Sequence, residues 1–218
     1  MEVILMEYTT IIFILEIIGT IAFASSGALV GIRKNMDIFG VLVLGITTAV
    51  GGGCIRDLIL GIHPPRMFQN VSYAGAATIT SCFLFLLLYW KKQLLESRFI
   101  QTYERAMNTF DAIGLGIFTI TGIRTAISVS SDDNIFLLVF VGVVTGIGGG
   151  MLRDIMSGST PFVFVKHVYA CASLSGAILY LILHNYIHEA AAMIFSAAAV
   201  ILIRLLAAHY RWNLPRIK

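Results

Sequence analysis

The segment GGGCIRDLILG, Gly51 to Gly61, returns as GGGMLRDIMSG, Gly148 to Gly158, each inside an otherwise apolar stretch. A glycine triplet and an Arg-Asp pair repeated at corresponding points of two hydrophobic segments is the pattern of a membrane transport protein built from two copies of one unit. The copy extends beyond the triplets. Glu16, Gly19, Phe23 and Gly27 reappear in order as Asp111, Gly114, Phe118 and Gly122. After a short insertion near Ser130 to Asp133, Gly45, Arg56, Asp57, Gly61 and Pro64 reappear as Gly142, Arg153, Asp154, Gly158 and Pro161.

Composition agrees with a membrane setting. Of 218 residues 58% are hydrophobic and 12% charged, about half the charge of a soluble domain, which carries roughly 25%. A bilayer crossing needs about 20 apolar residues. The chain offers seven such runs, near 9–31, 38–60, 71–90, 108–128, 135–156, 163–183 and 186–207. The expected fold is therefore an all-α membrane protein with seven transmembrane helices. The organisation expected is a first three-helix repeat over 1–90, a basic connection over 91–107, a second repeat over 108–184, and a seventh helix with a basic tail over 185–218. Three spans per repeat start the second copy on the opposite side of the membrane, so the repeats are inverted.

Basic residues at the helix ends set the expected orientation. Arg33, Lys34, Lys91, Lys92, Arg98, Arg105, Arg211, Arg216 and Lys218 fall on one side, with Arg66, Asp132 and Asp133 on the other. This puts the amino terminus outside and the carboxyl terminus in the cytoplasm. The net charge of +3 reflects this bias and attraction to anionic membrane lipids, with no nucleic-acid partner implied. Cys54, Cys82 and Cys171 lie inside expected spans without metal-type spacing and read as small apolar fillers. The five scattered histidines show no ligand spacing, so no structural metal is expected. No nucleophile and base stand together either, so the reading is not an enzyme and no cofactor is expected.

Each glycine in a triplet weakens a helix by roughly 1 kcal/mol relative to alanine. The expectation is that the second and fifth helices break at Gly51, Gly52 and Gly53 and at Gly148, Gly149 and Gly150, freeing backbone groups to line a polar path. The alternative is that the glycines let helices pack closely. Arg56, Asp57, Arg153 and Asp154 sit about one turn further on, where ionisable groups are costly and face a bundle interior. Glu16 is expected to join Arg56 and Asp57, and Asp111 to join Arg153 and Asp154, as two equivalent clusters that either line a path or lock the bundle. Ser25, Ser26, Thr48, Thr121 and Thr145 would extend the polar lining, the alternative for each being a hydrogen bond back to its own helix. Phe23 and Phe118 would form a hydrophobic constriction, the alternative being core packing.

The segments IGTIAFASSGAL, GGGCIRD with Pro64 and Pro65, IGLGIFTITG and GGGMLRD together resemble the prokaryotic branch of the trimeric intracellular cation (TRIC) channels, a domain also catalogued as a bacterial glycine transporter. The resemblance implies a homotrimer with a pore in each subunit, bounded by the second and fifth helices, that transiently binds and conducts potassium and other monovalent cations. It also implies a seventh helix outside the repeat. Animal members carry a lysine-containing motif at one kink where this chain has Arg56 and Asp57. The alternative function is a secondary transporter of glycine or another small amino acid, its carboxylate held by Arg56 or Arg153 at the same inverted-repeat site.

Overall fold

The computed structural model describes residues 2–90, 99–129, 134–165 and 168–212. Lys91, Lys92, Arg98, Asp132, Asp133, Arg216 and Lys218 lie outside the described residues. Nine helices occur among the described residues: α1 (Glu2–Arg33), α2 (Ile38–Ile59), α3 (Arg66–Gln69), α4 (Val71–Trp90), α5 (Phe99–Val129), α6 (Ile135–Met156), α7 (Phe162–Val165), α8 (Tyr169–Leu183) and α9 (Glu189–His209). Six are long and apolar enough to cross a membrane, and α8 is a shorter apolar helix. The sixth expected span is thus divided into α7 and α8, as α3 precedes α4 in the first half. Large apolar side chains stand exposed along the outside of α4, α6 and α9, among them Ile79, Phe83, Phe136 and Ile194. Hydrocarbon, not water, suits such a surface. The protein is a multi-pass membrane protein.

The second helix of each half is delimited by the same local chemistry. The Asp37 carboxylate accepts from Gly40 N at 2.7 Å at the start of α2, and Asn134 Oδ1 accepts from Leu137 N at 3.1 Å at the start of α6. Both side chains satisfy an amide that the first helical turn leaves open. At the far ends Gly61 and Gly158 take φ of +71° and +66°. Ile62 N then reaches Asp57 O, and Ser159 N reaches Asp154 O, each at 2.8 Å. This is a Schellman ending, which glycine enters without the steric cost a side chain brings.

The helices do not break at the triplets, which corrects the sequence expectation. Helix α2 continues through Gly51 to Gly53, and α6 through Gly148 to Gly150. The physical reason is that the glycines serve the crossing of these two helices. A Cβ on Gly52 would overlap the carbonyl oxygen of Thr145, and a Cβ on Gly149 would overlap that of Thr48. The backbones touch where side chains are missing, and this close contact offsets the weaker helix propensity.

Helices α1 and α5 also pair with each other. Gly19 packs against Phe118, Phe23 against Gly114, and Arg33 against Glu104 and the ring of Tyr103. As residue numbers rise on α1 they fall on α5, so the two corresponding helices run antiparallel. The repeats are therefore inverted. Helix α9, outside the repeat, packs on α5 and α8, with Glu189 ion-paired to Arg124.

Candidate ion pathway

Two cavities approach each other along α1. The first, about 40 Å³, is lined by Glu16, Thr20, Arg56, Asp57, Arg66 and Tyr73, with Phe118 at its wall. The second, about 420 Å³, is lined by Val30, Arg33, Lys34, Tyr103, Met107, Asp154, Ser159 and Phe162. Thr20 and Val30 are ten residues apart, about 15 Å along a helix. Phe23 and Ser26 occupy that interval. The rings of Phe23 and Phe118 meet at 5.3 Å between centroids, at 30°. This pair, at the level of the α2 and α6 crossing, separates the cavities.

One charge cluster borders each cavity, Asp154 being the member of the second cluster that reaches the cavity wall. In the first, Arg56 Nε donates to Asp57 Oδ1 at 2.8 Å, and its Nη1 lies 3.6 Å from Glu16 Oε1. The other oxygen of Glu16 accepts from Tyr73 Oη at 2.5 Å. Asp57 Oδ2 accepts from Arg66 N at 2.7 Å. In the second, Arg153 Nε donates to Asp154 Oδ1 at 2.8 Å, and its Nη1 donates to Asp111 Oδ1 at 2.6 Å and Ser26 Oγ at 2.5 Å. Asp154 Oδ2 accepts from Phe162 N at 2.9 Å. The Phe162 ring lies 4.9 Å beneath the Arg153 guanidinium, near enough for a cation–π contact.

Each aspartate thus pins two elements. Its main-chain oxygen closes the helix end, and its carboxylate holds both the neighbouring arginine and the start of the short helix that follows. The Arg-Asp-x-x-x-Gly spacing common to the two halves encodes this arrangement.

The hydroxyls divide into two groups. Ser25, Thr48 and Thr145 donate to the carbonyl four residues earlier, at 2.6 to 2.7 Å, and so are satisfied by their own helices. Ser26 is instead engaged by Arg153. Thr121, its equivalent in the second half, is buried with no hydrogen-bond partner for Oγ1. Among the triplets, Gly53 lines the first cavity, and a Cβ on Gly150 would come 2.7 Å from Tyr169 Oη and 3.4 Å from Asp111 Oδ1. Gly51 and Gly148 face Leu152 and Ile55, and with Gly52 and Gly149 they make the helix crossing.

Besides Arg66 and Phe162, three residues beside the clusters were not among the sequence candidates. Tyr73 and Tyr169 open the third long helix of each half and lie beside Glu16 and Asp111 respectively. Their signal was the shared spacing from the Arg-Asp pair, shifted by one residue in the intervening loop. The third, Arg204, comes from α9, and only its isolation as a charge within an apolar helix marked it.

The profile of a family described as a glycine transporter matches residues 13–89 and again 108–185. A membrane protein of Deinococcus radiodurans, named UPF0126, is 38% identical over 165 residues, covering 75% of this chain and 72% of its own length. The crystal structure of a prokaryotic TRIC channel in 0.5 M KCl superposes with a TM-score of 0.85 at 32% identity, over 94% of this chain and 100% of that one. The chain belongs to the prokaryotic TRIC family. A second TRIC structure, the trimeric intracellular cation channel orthologue from Rhodobacter sphaeroides, has a TM-score of 0.82 at 31% identity, over 93% and 100% of the two chains. The glycine-transporter description and the TRIC structures concern the same stretch of sequence. In TRIC terms, the duplicated unit is α1 to α4 and α5 to α8, with α9 added.

Proposed function

We propose that the protein is a monovalent cation channel, permeable to potassium, with one pathway inside each subunit of a homotrimer. The pathway runs from the first cavity, past Phe23 and Phe118, to the second. It is bounded by α1, α2, α5 and α6, with Glu16, Asp57, Asp111 and Asp154 along it. In the proposed orientation the amino terminus is outside a prokaryotic cell membrane, the first cavity opens outward, and membrane lipids cover the apolar faces.

The observation that carries this reading is the alignment of two carboxylate-bearing cavities along one helix, separated by the pair of Phe23 and Phe118 and by the contact of Arg153 with Ser26. Such a layout is a pore in its closed state. Similarity to TRIC channel structures over nearly the whole chain supports it further. Opening requires that Phe23 and Phe118 part and that Arg153 leave Ser26, since both lie in the interval between the cavities.

The glycine-transporter description favours a second reading, and inverted repeats can alternate access around a central site. Against it stands the engagement of both arginines. Arg56 faces Glu16 and Asp57, and Arg153 faces Asp111 and Asp154, so a substrate carboxylate would have to displace a carboxylate already in place.

Single-channel recording of the purified protein in planar bilayers under a potassium gradient separates the two, with glycine flux into liposomes run on the same preparation. Discrete currents reversing near the potassium potential are expected. Silent bilayers with saturable glycine uptake would overturn the channel reading.

A further inference from the structure

A cation supplied from outside either repeat stands against Tyr169 beside the second cluster. Arg204 on α9 is 3% exposed, its Cζ lies 4.6 Å over the ring of Tyr169, and its Nε has no hydrogen-bond partner. A guanidinium buried within a membrane helix is costly unless opposite charge nearby retains it. The hydroxyl end of that same tyrosine points to the acidic group. Tyr169 Oη, Asp111 Oδ1 and Arg153 Nη2 all lie within 3.7 Å of the point where a Cβ on Gly150 would sit.

Formal charge makes the role specific. Asp111 and Asp154 outweigh Arg153 by one negative charge, which Arg204 cancels. At the first cluster Glu16 and Asp57 outweigh Arg56 by one, and there the cancelling group is Arg66, whose side chain lines the cavity. Arg66 N and Phe162 N make the same bond to the two equivalent aspartates. The second repeat therefore has a neutral ring where the first has a guanidinium.

We propose that Arg66 and Arg204 set the charge of the two buried clusters that border the pathway, each bringing a carboxylate-rich cluster to neutrality so that cations pass without being trapped, and that α9 delivers to the second cluster the charge its own repeat lacks, the Arg33 and Lys34 of that cavity standing at its exposed wall. The proposal rests on the cation-channel reading.

The test is single-channel recording of Arg204→Gln and Arg66→Gln in symmetrical KCl. Each variant leaves one buried cluster with excess negative charge. Conductance in dilute KCl is expected to rise about threefold and to return to the wild-type value in concentrated salt, where screening is strong. The two variants rectify in opposite directions, because the charges lie at opposite ends. Arg204→Lys behaves as wild type, and adding Asp111→Asn to Arg204→Gln restores a linear current–voltage curve.

Trimeric variants whose curves superimpose on wild type, or which rectify in the same direction, overturn the proposal. A wild-type protein without unitary currents would instead defeat the channel reading. The charge assignment is then read by melting temperature in KCl against choline chloride. Stabilisation by potassium in Arg204→Gln and not in wild type supports it, and equal behaviour overturns it. If Arg204→Gln alone does not assemble, the neutral pair with Asp111→Asn must do so for the assignment to stand.

Discussion

The two charge clusters descend from one sequence pattern yet occupy different states. Around Arg153 the contacts cross between the repeats: the side chain is fully buried, its Nη1 bridges Asp111 and Ser26, and a phenylalanine ring lies against it. Around Arg56 they stay within one repeat and are longer: the corresponding contact to Glu16 is 3.6 Å, and among the described residues no serine or threonine bonds to its side chain. The mirror image of the Arg153 to Ser26 bond would join Arg56 to Thr121, whose hydroxyl is buried and unpartnered. Inverted repeats in one structure need not share one arrangement, and here the arginine of the second repeat crosses to the first.

The strongest way to break this contrast is to remove the arginines one at a time. Arg153→Gln strands two buried carboxylates and is expected to cost about 3–5 kcal/mol. Arg56→Gln leaves its carboxylates beside a cavity, Tyr73 and the amide of Arg66, and should cost well under half as much. Denaturant unfolding of the purified variants in detergent compares them, and equal losses would mean that the clusters are equivalent after all.

Next in size are the glycines. Gly52→Ala and Gly149→Ala force a methyl group onto a carbonyl oxygen of the facing helix, an overpacking expected to cost about 1–3 kcal/mol or more. Gly53→Ala has no atom nearer than 3.8 Å, so it should be neutral or stabilise by up to about 1 kcal/mol through helix propensity. Thermal melts monitored by size-exclusion chromatography would rank the three. If Gly53→Ala proves the most damaging, the triplet is not acting through the crossing.

The smallest effects sharpen the comparison most. Ser26→Ala removes one acceptor from a buried guanidinium and should cost about 1–3 kcal/mol. In Thr121→Val a hydroxyl without a partner is replaced by a methyl group, so stability should stay within about 1 kcal/mol of wild type or rise. Ser26→Ala should also lengthen channel openings. Losses of equal size in the two variants would argue that Thr121 has a partner as strong as that of Ser26.

The sequence made much of this visible, because duplication exposes function-bearing positions twice. The grouping of Glu16 with Arg56 and of Asp111 with Arg153 followed from spacing alone, since each residue recurs at the same place in both copies. The continuity of α2 and α6 did not. Helix propensity is a local quantity, and the contact between Gly52 and the Thr145 carbonyl arises from residues 93 positions apart. Gly61 and Gly158 read equally well as loop glycines, and only their positive φ identifies them as the true helix terminators. Arg204 was hardest to assign because its partner ring, Tyr169, belongs to another helix and no repeat echoes it.

The crossing at Gly52 and Gly149 also bears on how such a chain can change over generations. Duplicated halves are ordinarily free to drift apart, each compensating its own substitutions. Here the atom that would meet a new side chain in one half is main-chain oxygen of the other, which no mutation can remove. The two copies therefore hold a veto over each other at this point, while positions such as Arg66 and Phe162, which do not meet the other half's main chain there, have diverged.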